Sequence, residues 1–504
     1  MSLSDNKVVK SFGIAGSVAA VALTYLTVKY HDRVVFYDHR ENTTPKKGLP
    51  LVGNTLGLLS NLERINHYFL DCFEETKSDT ISLSALGLPE GVVTCNPDNV
   101  EHVLKSVLFH NSVIDLLGYG IFNANGERWR YQRKAASLIF NVKNFRDHFT
   151  DVFVEELKLV ENIFDKSIET KIPVDFHDVM YKFTLDSFVI LGFGTEIGAL
   201  TTEGKVPFAE AFDELQKNSF DRFMNFMEPV ERRCREIFMP WKPTVASYLK
   251  TIDTFASSVI KTRRAELAAG EQCKDLLSRF METRNENGEP LNDKELRDCI
   301  MNFIIAGRDT TAQALSWSLY NLMLYPETEK KLVQEIIDNI PDGIEQDAPK
   351  LYENIKEMKY AHAVLYESLR LYPSVPSNQK EALEADVLPS GAVLRKGDVV
   401  IWSSYALGRN KRVWGEDAEE FKPERWIKED GSLRRETQGR WPVFHAGPRV
   451  CLGQNLATLE ALVALSLLLK RYKFTLVPNQ DITYQVSLTL PMKNGLKVYI
   501  EHRS

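Results

Sequence analysis

The stretch that decides the fold is FHAGPRVCLG, residues 444–453, which stands just before a long apolar run. It presents Cys451 between two glycines, Gly447 and Gly453, which let the backbone turn tightly and bring N–H groups close to the sulfur. Phe444 can pack beside the sulfur, and Arg449 offers a planar cation to a carboxylate. A thiolate that holds a haem iron needs a sharp turn, donors to the sulfur and a partner for a haem propionate. The loop therefore predicts a haem-thiolate site, and a buried structural cysteine is the alternative.

The length and composition favour one large catalytic body. The chain has 504 residues and a net charge of −7 at pH 7, which argues against nucleic acid as its main partner. The sequence has no Gly/Ser- or Pro-rich linker and no long internal repeat that would divide the chain. The six cysteines are scattered and form no C-x-x-C pair, so the sequence predicts a reducing compartment rather than a disulfide framework.

The N-terminal region contains an apolar run without a charge, from Phe12 to Val28. At about 1.5 Å per residue the run spans about 26 Å, near the thickness of an endoplasmic reticulum bilayer. More Lys and Arg residues follow the run than precede it, which predicts that the body faces the cytosol. We therefore predict a single-pass membrane anchor over residues 1–33 and a haem-binding catalytic domain over residues 34–504. A cleaved signal peptide is the alternative.

Most of the body shows helical periodicity, and strand signals are fewer. The predicted helices are Asn99–Leu108, Phe149–Lys166, Ala209–Phe226, Val245–Ala269, Asp293–Leu324, Glu327–Asn339 and Tyr360–Leu371. Asn292 and Glu295 have the spacing of a capping box at the start of the longest of these helices. The predicted strands are Thr80–Ala85 and Val92–Thr94, as a hairpin, and Val393–Leu394, Val399–Trp402, Lys473–Val477 and Leu496–Ile500. The fold class is thus mostly α with small β-sheets.

The longest predicted helix contains a polar pair in an apolar stretch. Ala306 and Gly307 thin the helix wall, which lets a ligand approach the backbone, and Asp309 and Thr310 follow at once. Polar side chains are costly in so apolar a stretch unless they have a role, and an acid beside an alcohol can deliver protons in order. The alternative is a polar seam against other helices, with Thr310 hydrogen-bonded to its own helix.

Two further patterns are weak on their own. Glu367 and Arg370 stand at i and i+3 on one helical face, a pairing that is common on protein surfaces. Trp129 and Arg133 stand at i and i+4, so both can donate to one carboxylate, although an ordinary amphipathic helix would show the same spacing.

These four patterns together resemble the cytochrome P-450 family, whose signatures F-x-x-G-x-R-x-C-x-G, A-G-x-D/E-T-T, E-x-x-R and W-x-x-x-R they match. The resemblance implies that family's fold and a haem b whose iron is held by Cys451. It also implies that Thr310 hydrogen-bonds dioxygen and that Asp309 relays protons to it. Asp309, Thr310 and Cys451 are therefore the expected catalytic residues.

The resemblance also assigns the surroundings of the haem. Glu367 and Arg370 would form a buried triad with Arg425, which locks the core on the cysteine side. Lys380 stands where many relatives carry an arginine; a lysine can meet a propionate, but without the bidentate fork. The expected cofactor-binding set is Trp129, Arg133, Lys380, Phe444, Gly447, Arg449 and Gly453.

The substrate is indicated by four stretches, residues 116–134, 369–376, 414–426 and 487–496. They resemble the branch of the family that contains plant and fungal fatty-acid ω-hydroxylases and alkane hydroxylases. An apolar tunnel suits an acyl chain, although apolar stripes are more often plain core. The residues expected to line the substrate pocket are Leu117, Phe122, Ala306, Val375 and Leu490.

The expected function is insertion of one oxygen atom of O₂ into a C–H bond of a lipophilic substrate, by ω-hydroxylation of a long-chain fatty acid or an alkane. The chain has no flavin or nicotinamide motif, so electrons from NADPH would come through a separate flavoprotein reductase, with cytochrome b5 as a further candidate donor. The expected location is the endoplasmic reticulum membrane. One alternative is a haem-thiolate isomerase or dehydratase of lipid hydroperoxides, and the other is a non-catalytic haem-binding membrane protein.

Overall fold

The structure is a computed structural model that describes residues 17–503 except residues 107–116, 141, 225–226, 272 and 274. The predicted anchor, residues 1–33, is covered only in part, because residues 1–16 lie outside the described residues. Within the described ranges, no helix combines the length and apolar character that crossing a membrane requires. The C-terminal ends predicted for two helices, Leu108 and Phe226, also lie outside the described residues.

Helices dominate the described part of the chain, as the periodicity predicts. The first, α1, covers residues 17–29. The others are α2 (Thr55–Ser60), α3 (Ile65–Thr76), α4 (Pro97–Lys105), α5 (Gly126–Ser137), α6 (Val142–Asn144), α7 (Thr150–Thr170), α8 (Phe176–Phe193), α9 (Pro207–Met224), α10 (Glu228–Phe238), α11 (Val245–Ala268), α12 (Leu276–Glu282), α13 (Asp293–Ile304), α14 (Thr310–Leu324), α15 (Pro326–Asn339), α16 (Ala348–Glu357), α17 (Lys359–Leu371), α18 (Ser404–Arg409), α19 (Lys411–Trp414) and α20 (Gln454–Arg471).

Three small sheets complete the fold. The strands are β1 (Thr44–Pro45), β2 (Thr80–Ser82), β3 (Gly91–Thr94), β4 (Val174–Asp175), β5 (Ser377–Glu381), β6 (Asp386–Val387), β7 (Val393–Leu394), β8 (Val399–Ser403), β9 (Tyr472–Leu476) and β10 (Lys497–His502). The largest sheet has the order β1-β2-β3-β8-β5, and the others are β4-β10-β9 and β6-β7. The predicted hairpin is confirmed, since β2 and β3 pair antiparallel with Thr80 opposite Thr94.

The predicted capping box is present at the start of α13. The Asn292 side chain accepts from the Glu295 N–H at 3.0 Å, and the Asn292 N–H donates to the Glu295 carboxylate at 2.9 Å. Two long helices that the periodicity did not indicate are α8 and α20. Both are buried on nearly every face, so their sequences lack the alternation between apolar and polar faces that marks a surface helix.

The longest predicted helix, Asp293–Leu324, is interrupted. A π-helical segment, Ile305–Asp309, separates α13 from α14, and such segments occur often at functional sites. Gly307 lies in this segment against α8. A β-carbon at residue 307 would lie 2.0 Å from Cδ2 of Phe188, so the missing side chain makes room for that ring.

The main hydrophobic core surrounds α14. It joins α8, α13, α17 and α20 and includes Trp317, Leu365 and Val463. A second core lies under the largest sheet and includes Ile81 and Trp402. The π segment and the cysteine loop both border the main core, so large packed helices fix their positions.

Candidate active site

One cavity of about 480 Å³ brings together the two motifs that decide the chemistry. Cys451 lines it from the C-terminal loop, and Ala306 and Thr310 line it from the helix that contains the π segment. Most of the other lining side chains are apolar. The Cys451 thiol and Thr310, which are about 140 residues apart in sequence, therefore border the same cavity.

The cysteine loop is held by its own backbone. The Cys451 N–H donates to the Phe444 carbonyl at 2.8 Å, which closes the turn. Gly447 has a φ of 61°, and a β-carbon there would lie 2.9 Å from the Leu104 carbonyl oxygen. Glycine is therefore required at residue 447 both by the left-handed backbone and by the close approach of α4.

Opposing influences set the pKa of the Cys451 thiol. Burial raises it, while backbone N–H groups of Gly453 and Gln454 and the nearby charge of Arg133 lower it. These groups stabilise a thiolate, and a bound iron would complete the deprotonation. The predicted backbone donors to the sulfur are thus present in this loop.

Cationic side chains border the cavity beside the thiol. Arg133, Lys380 and Arg449 all line it, and Trp129 lies under Arg449, whose guanidinium carbon is 4.9 Å from the indole centroid. Burial lowers the pKa of both arginines, and the charge of Arg133 lowers that of Arg449 further. A bound dianion would relieve this repulsion, which is what two haem propionates would supply.

Lys380, expected near a propionate, is held by backbone carbonyls. Its ammonium donates to the backbone carbonyls of Val103 and Ser106 at 2.7 and 2.9 Å and to that of Leu104 at 3.3 Å. Burial, followed by the charge of Arg449, lowers its pKa to about 8. Lys380 therefore ties β5 to the end of α4 while it lines the cavity.

His445 was assigned no role from the sequence. Its φ of 59° and ψ of −166° are unusual for a residue other than glycine, and the residue is half-buried. Nδ2 of Asn378 donates to its Nε2 at 2.9 Å, and burial lowers the pKa of the imidazole to about 4. The neutral ring thus fastens the cysteine loop to β5.

The Glu367 carboxylate is the centre of a buried network. Arg370 donates to it twice, through Nε and Nη2, both at 2.8 Å, and Arg425 Nε donates at 3.3 Å. The Trp426 indole and the Lys422 N–H also donate to it, both at 2.9 Å. Since Glu367 is fully buried, all five donors compensate for its lost hydration.

The acid and the alcohol of the long helix point in different directions. The Thr310 hydroxyl donates to the Ala306 carbonyl at 2.7 Å and lines the cavity. The Asp309 carboxylate lies behind it, where Gln216 of α9 donates at 2.8 Å and Arg308 donates at 3.2 Å. Burial raises the pKa of Asp309, while the charge of Arg308 opposes the rise.

A second buried acid, Glu460, was not identified from the sequence. It lies on α20, lines the cavity and accepts from the Ser187 hydroxyl of α8 at 2.5 Å. Burial raises its pKa to about 8, and hydrogen bonds from Ser187 and Thr311 oppose the rise. The available signal was the one that singled out Asp309, a charged residue within an apolar run.

Four of the five predicted substrate-lining residues border the cavity: Leu117, Phe122, Ala306 and Val375. Leu490 lies in the core instead. Its N–H donates to Gln313 at 3.0 Å, and its carbonyl accepts from the Trp317 indole at 3.0 Å. Leu488, two residues earlier, lines the cavity.

The described residues fit a haem. Cys451 would hold the iron, and Trp129, Arg133 and Arg449 would hold the propionates, with Lys380 nearby. Bound there, the haem would supply an iron centre that activates O₂ for oxidation of a C–H bond. The fold and the site thus define a haem-thiolate enzyme.

Comparisons with known proteins identify the family. The profile of the cytochrome P-450 family matches residues 44–497. Cytochrome P-450 86B1 of Arabidopsis thaliana is 38% identical over 433 residues, 82% of this chain and 77% of that protein. Cytochrome P-450 704B1 of the same plant is 34% identical over 511 residues, 92% of this chain and 96% of that protein. Cytochrome P-450 monooxygenase cyp1 of Mycosarcoma maydis is 34% identical over 502 residues, 94% of this chain and 78% of that protein. The chain belongs to the cytochrome P-450 family and is a monooxygenase of that family.

Proposed function

We propose that this monooxygenase hydroxylates a long-chain fatty acid or an alkane at or near the ω carbon. The observation that carries the proposal is the mostly apolar cavity that Cys451 and Thr310 both line. A hydrocarbon chain gains about 0.8 kcal/mol for each methylene it buries, so an apolar cavity favours an extended acyl or alkyl ligand. Leu117, Phe122 and Val375 would contact that chain.

In the proposed reaction the haem is a haem b held by Cys451, and each group of the site has one role. The Gly453 and Gln454 N–H groups stabilise the sulfur. Thr310 holds a hydroxyl at the cavity wall, and Asp309 supplies protons from behind it. The buried Glu367–Arg370–Arg425 network keeps the loop and α17 in one position.

Electrons would reach the site from NADPH through a separate flavoprotein reductase, with cytochrome b5 as a further candidate donor. Exposed cations near the cysteine loop support a docking surface for an acidic partner: Arg130, Lys134, Arg434 and Arg435. Arg130 and Arg434 also pair with the acids Glu127 and Glu436, and the half-buried Arg440 lies beside Glu436 at 3.3 Å and over the Trp414 ring, so we leave Arg440 out of this surface.

We further propose that residues 1–33 anchor the protein in the endoplasmic reticulum membrane and that residues 34–504 form the catalytic domain on the cytosolic side. The uncharged run Phe12–Val28 and the positive charges after it support this orientation. A tethered enzyme could take hydrophobic substrates directly from the bilayer.

The two alternative functions are less well supported by the described residues. An isomerase or dehydratase of lipid hydroperoxides needs no proton supply from an acid and an alcohol. A haem-binding carrier needs neither the acid nor the alcohol. The buried Asp309 with its partners on α9 is costly to maintain without a role. NADPH-dependent turnover separates the proposed reaction from both alternatives.

The decisive experiment tests the sulfur. The purified, reduced protein treated with carbon monoxide should show the red-shifted Soret band of a thiolate-bound ferrous haem, and Cys451→Ser should abolish it. Cys299→Ser is the matched control, because Cys299 is also a free cysteine but is buried on α13, away from the cysteine loop. Loss of the band in the control alone, or its survival in Cys451→Ser, would overturn the assignment.

The substrate is tested separately. The protein is incubated with a flavoprotein reductase, NADPH and a panel of fatty acids and alkanes, and the hydroxylated position is read by mass spectrometry. Terminal products from the longer chains are expected. If another lipid class is oxidised while the whole panel remains unchanged, the substrate proposal is wrong and the reaction proposal survives.

A further inference from the structure

Among the described residues, a buried ion-pair group adjoins Asp309 and has no part in the proposed mechanism. Arg308 lies in the π segment with its side chain only 3% exposed. The Asp213 carboxylate of α9 accepts hydrogen bonds from both terminal nitrogens of Arg308, at 2.6 and 3.2 Å. The Asp309 carboxylate accepts a hydrogen bond from one of these nitrogens, Nη1, at 3.2 Å. A single buried cation is thus shared between two carboxylates.

The two carboxylates differ in their access to water. The Asp213 side chain is 53% exposed, whereas that of Asp309 is 2% exposed. The three side chains therefore run from the surface of α9 through the guanidinium to the acid behind Thr310. The same helix, α9, also provides Gln216, which donates to the second oxygen of Asp309, and Phe220, which lines the cavity.

We propose that Asp213 is a positioning residue that competes with Asp309 for Arg308 and so leaves Asp309 able to donate a proton. This inference rests on the proposed function. Hydroxylation takes O₂, two electrons and two protons and returns one oxygen atom in the alcohol and the other in water. The two electrons come from NADPH through the reductase. A group that supplies those protons must hold a proton at neutral pH and must release it readily.

The competition follows from the geometry around Arg308. Its guanidinium lies over the Tyr181 ring, with the guanidinium carbon 4.5 Å from the ring centroid, so it has little freedom to move away. Its Nε–H is buried without an acceptor among the described residues, so the two carboxylates provide its main compensation. While Asp213 accepts two hydrogen bonds from Arg308, Asp309 accepts only one, at 3.2 Å. If Asp213 lost its charge, Arg308 would pair with Asp309 alone.

The electrostatic surroundings of Asp309 agree with this competition. Among the described residues, the titratable or charged groups that face it are Arg308 on its own helix, Asp213 on α9, and Tyr181 with His177 beyond it on α8. Burial and the charge of Asp213 raise the pKa of Asp309, while Arg308 lowers it. Neutralising Asp213 removes a negative charge that raises the pKa of Asp309, and it frees Arg308 to pair more closely with Asp309, which lowers that pKa. The pKa of Asp309 should therefore fall, and its protonated fraction at neutral pH should fall with it.

The test compares two variants of α9 in the haem-loaded protein. Asp213→Asn removes the contact to Arg308. Glu210→Gln removes the same charge from the same helix, but Glu210 pairs with exposed Lys205 at 2.8 Å. With reductase, NADPH and a fatty acid, Asp213→Asn should release several-fold more hydrogen peroxide per NADPH, because electrons and protons then leave as H₂O₂ rather than as alcohol and water. The alkaline limb of its rate profile should also move to lower pH. Glu210→Gln should match the unsubstituted protein in both respects.

A second readout needs no turnover. The denaturant midpoint is measured for Asp213→Asn, for Asp309→Asn and for the double variant. Either carboxylate alone can compensate Arg308, so the loss in the double variant should exceed the sum of the single losses. Additive midpoints together with an unchanged pH profile in Asp213→Asn would overturn the inference. If the carbon monoxide spectrum shows no thiolate band in any of these proteins, the proposed function itself has failed, which is a different outcome.

Discussion

The cysteine side and the threonine side of the cavity are built in different ways. On the cysteine side, the FHAGPRVCLG loop and the Glu367 network concentrate many short hydrogen bonds in a few adjacent segments. On the threonine side, the π segment Ile305–Asp309 is held by side chains of separate helices: Thr184 of α8 donates to the Arg308 carbonyl, Asp213 of α9 accepts from the Arg308 guanidinium, and Gln216 of α9 donates to Asp309. The difference teaches that the group proposed to hold the haem iron lies in a densely hydrogen-bonded part of the fold. The groups proposed to deliver protons and to contact the substrate lie where separate helices meet.

The largest effect is expected when the cysteine side loses its central carboxylate. Glu367→Ala leaves Arg370 buried without its carboxylate partner, which typically costs about 3–5 kcal/mol. The variant should therefore incorporate little haem and unfold at a lower denaturant concentration. Glu353→Gln is the control, because Glu353 and Lys356 form an exposed pair at 3.6 Å that is worth at most about 1 kcal/mol. A normal haem content in Glu367→Ala would contradict the role of the network.

On the threonine side, two leucines of one loop should separate stability from specificity. Leu490 is fully buried, so Leu490→Ala should cost about 2–5 kcal/mol in the free energy of unfolding and leave the position of hydroxylation unchanged. Leu488 lines the cavity, so Leu488→Ala should change the distribution of products with a smaller loss of stability. A shifted product distribution in Leu490→Ala at full stability would place Leu490 in the pocket after all.

Glu460 connects the two sides, because its helix, α20, starts just after the cysteine loop and its carboxyl contacts α8. Burial raises its pKa to about 8 from an ordinary value of 4.5, so the folded protein binds this proton more tightly than the unfolded chain does. The stability it contributes is complete below about pH 4.5 and is lost as the pH rises toward 8. Glu460→Gln should remove a decline of about 1.4 kcal/mol per pH unit in the free energy of unfolding between those values. Denaturant titrations at pH 5 and pH 7 measure it, and curves that stay parallel would contradict it.

The smallest effect compares two glycines with left-handed backbones. Gly447→Ala adds the strain of a positive φ, about 1–2 kcal/mol, and a contact with the Leu104 carbonyl. Gly431→Ala adds only the strain, since a β-carbon at residue 431 meets nothing within 4 Å among the described residues. The loss in the free energy of unfolding should therefore be larger for Gly447→Ala, and its haem content should fall. Equal losses would show that the approach of α4 to the loop is unimportant.

Much of the cysteine side could be predicted because its motifs are local. The turn of the loop, the donors to the sulfur and the i, i+3 pair of Glu367 and Arg370 depend on spacing within a few residues. The capping box at Asn292 was predictable for the same reason. The long helices α8 and α20 were not, because burial on nearly every face removes the periodicity that identifies a helix.

The threonine side was predictable only in part. Asp309 and Thr310 stood out as polar residues in an apolar stretch, but nothing local indicated the π segment or the two carboxylates that share Arg308. The placement of Leu490 in the core rather than the cavity depends on the bonds of its backbone to Gln313 and Trp317, which lie 177 and 173 residues away in the chain. Long-range contacts of this kind leave no mark in the spacing of residues.

The sequence by itself determined the family and the mostly helical fold, and it indicated Cys451 as the candidate sulfur ligand, because these follow from residue types at short, fixed spacings. Only the tertiary structure decided which groups surround Asp309, where Lys380 points and which leucine borders the cavity. The physical reason is that burial and the approach of separate helices set these contacts, and both depend on how the whole chain packs.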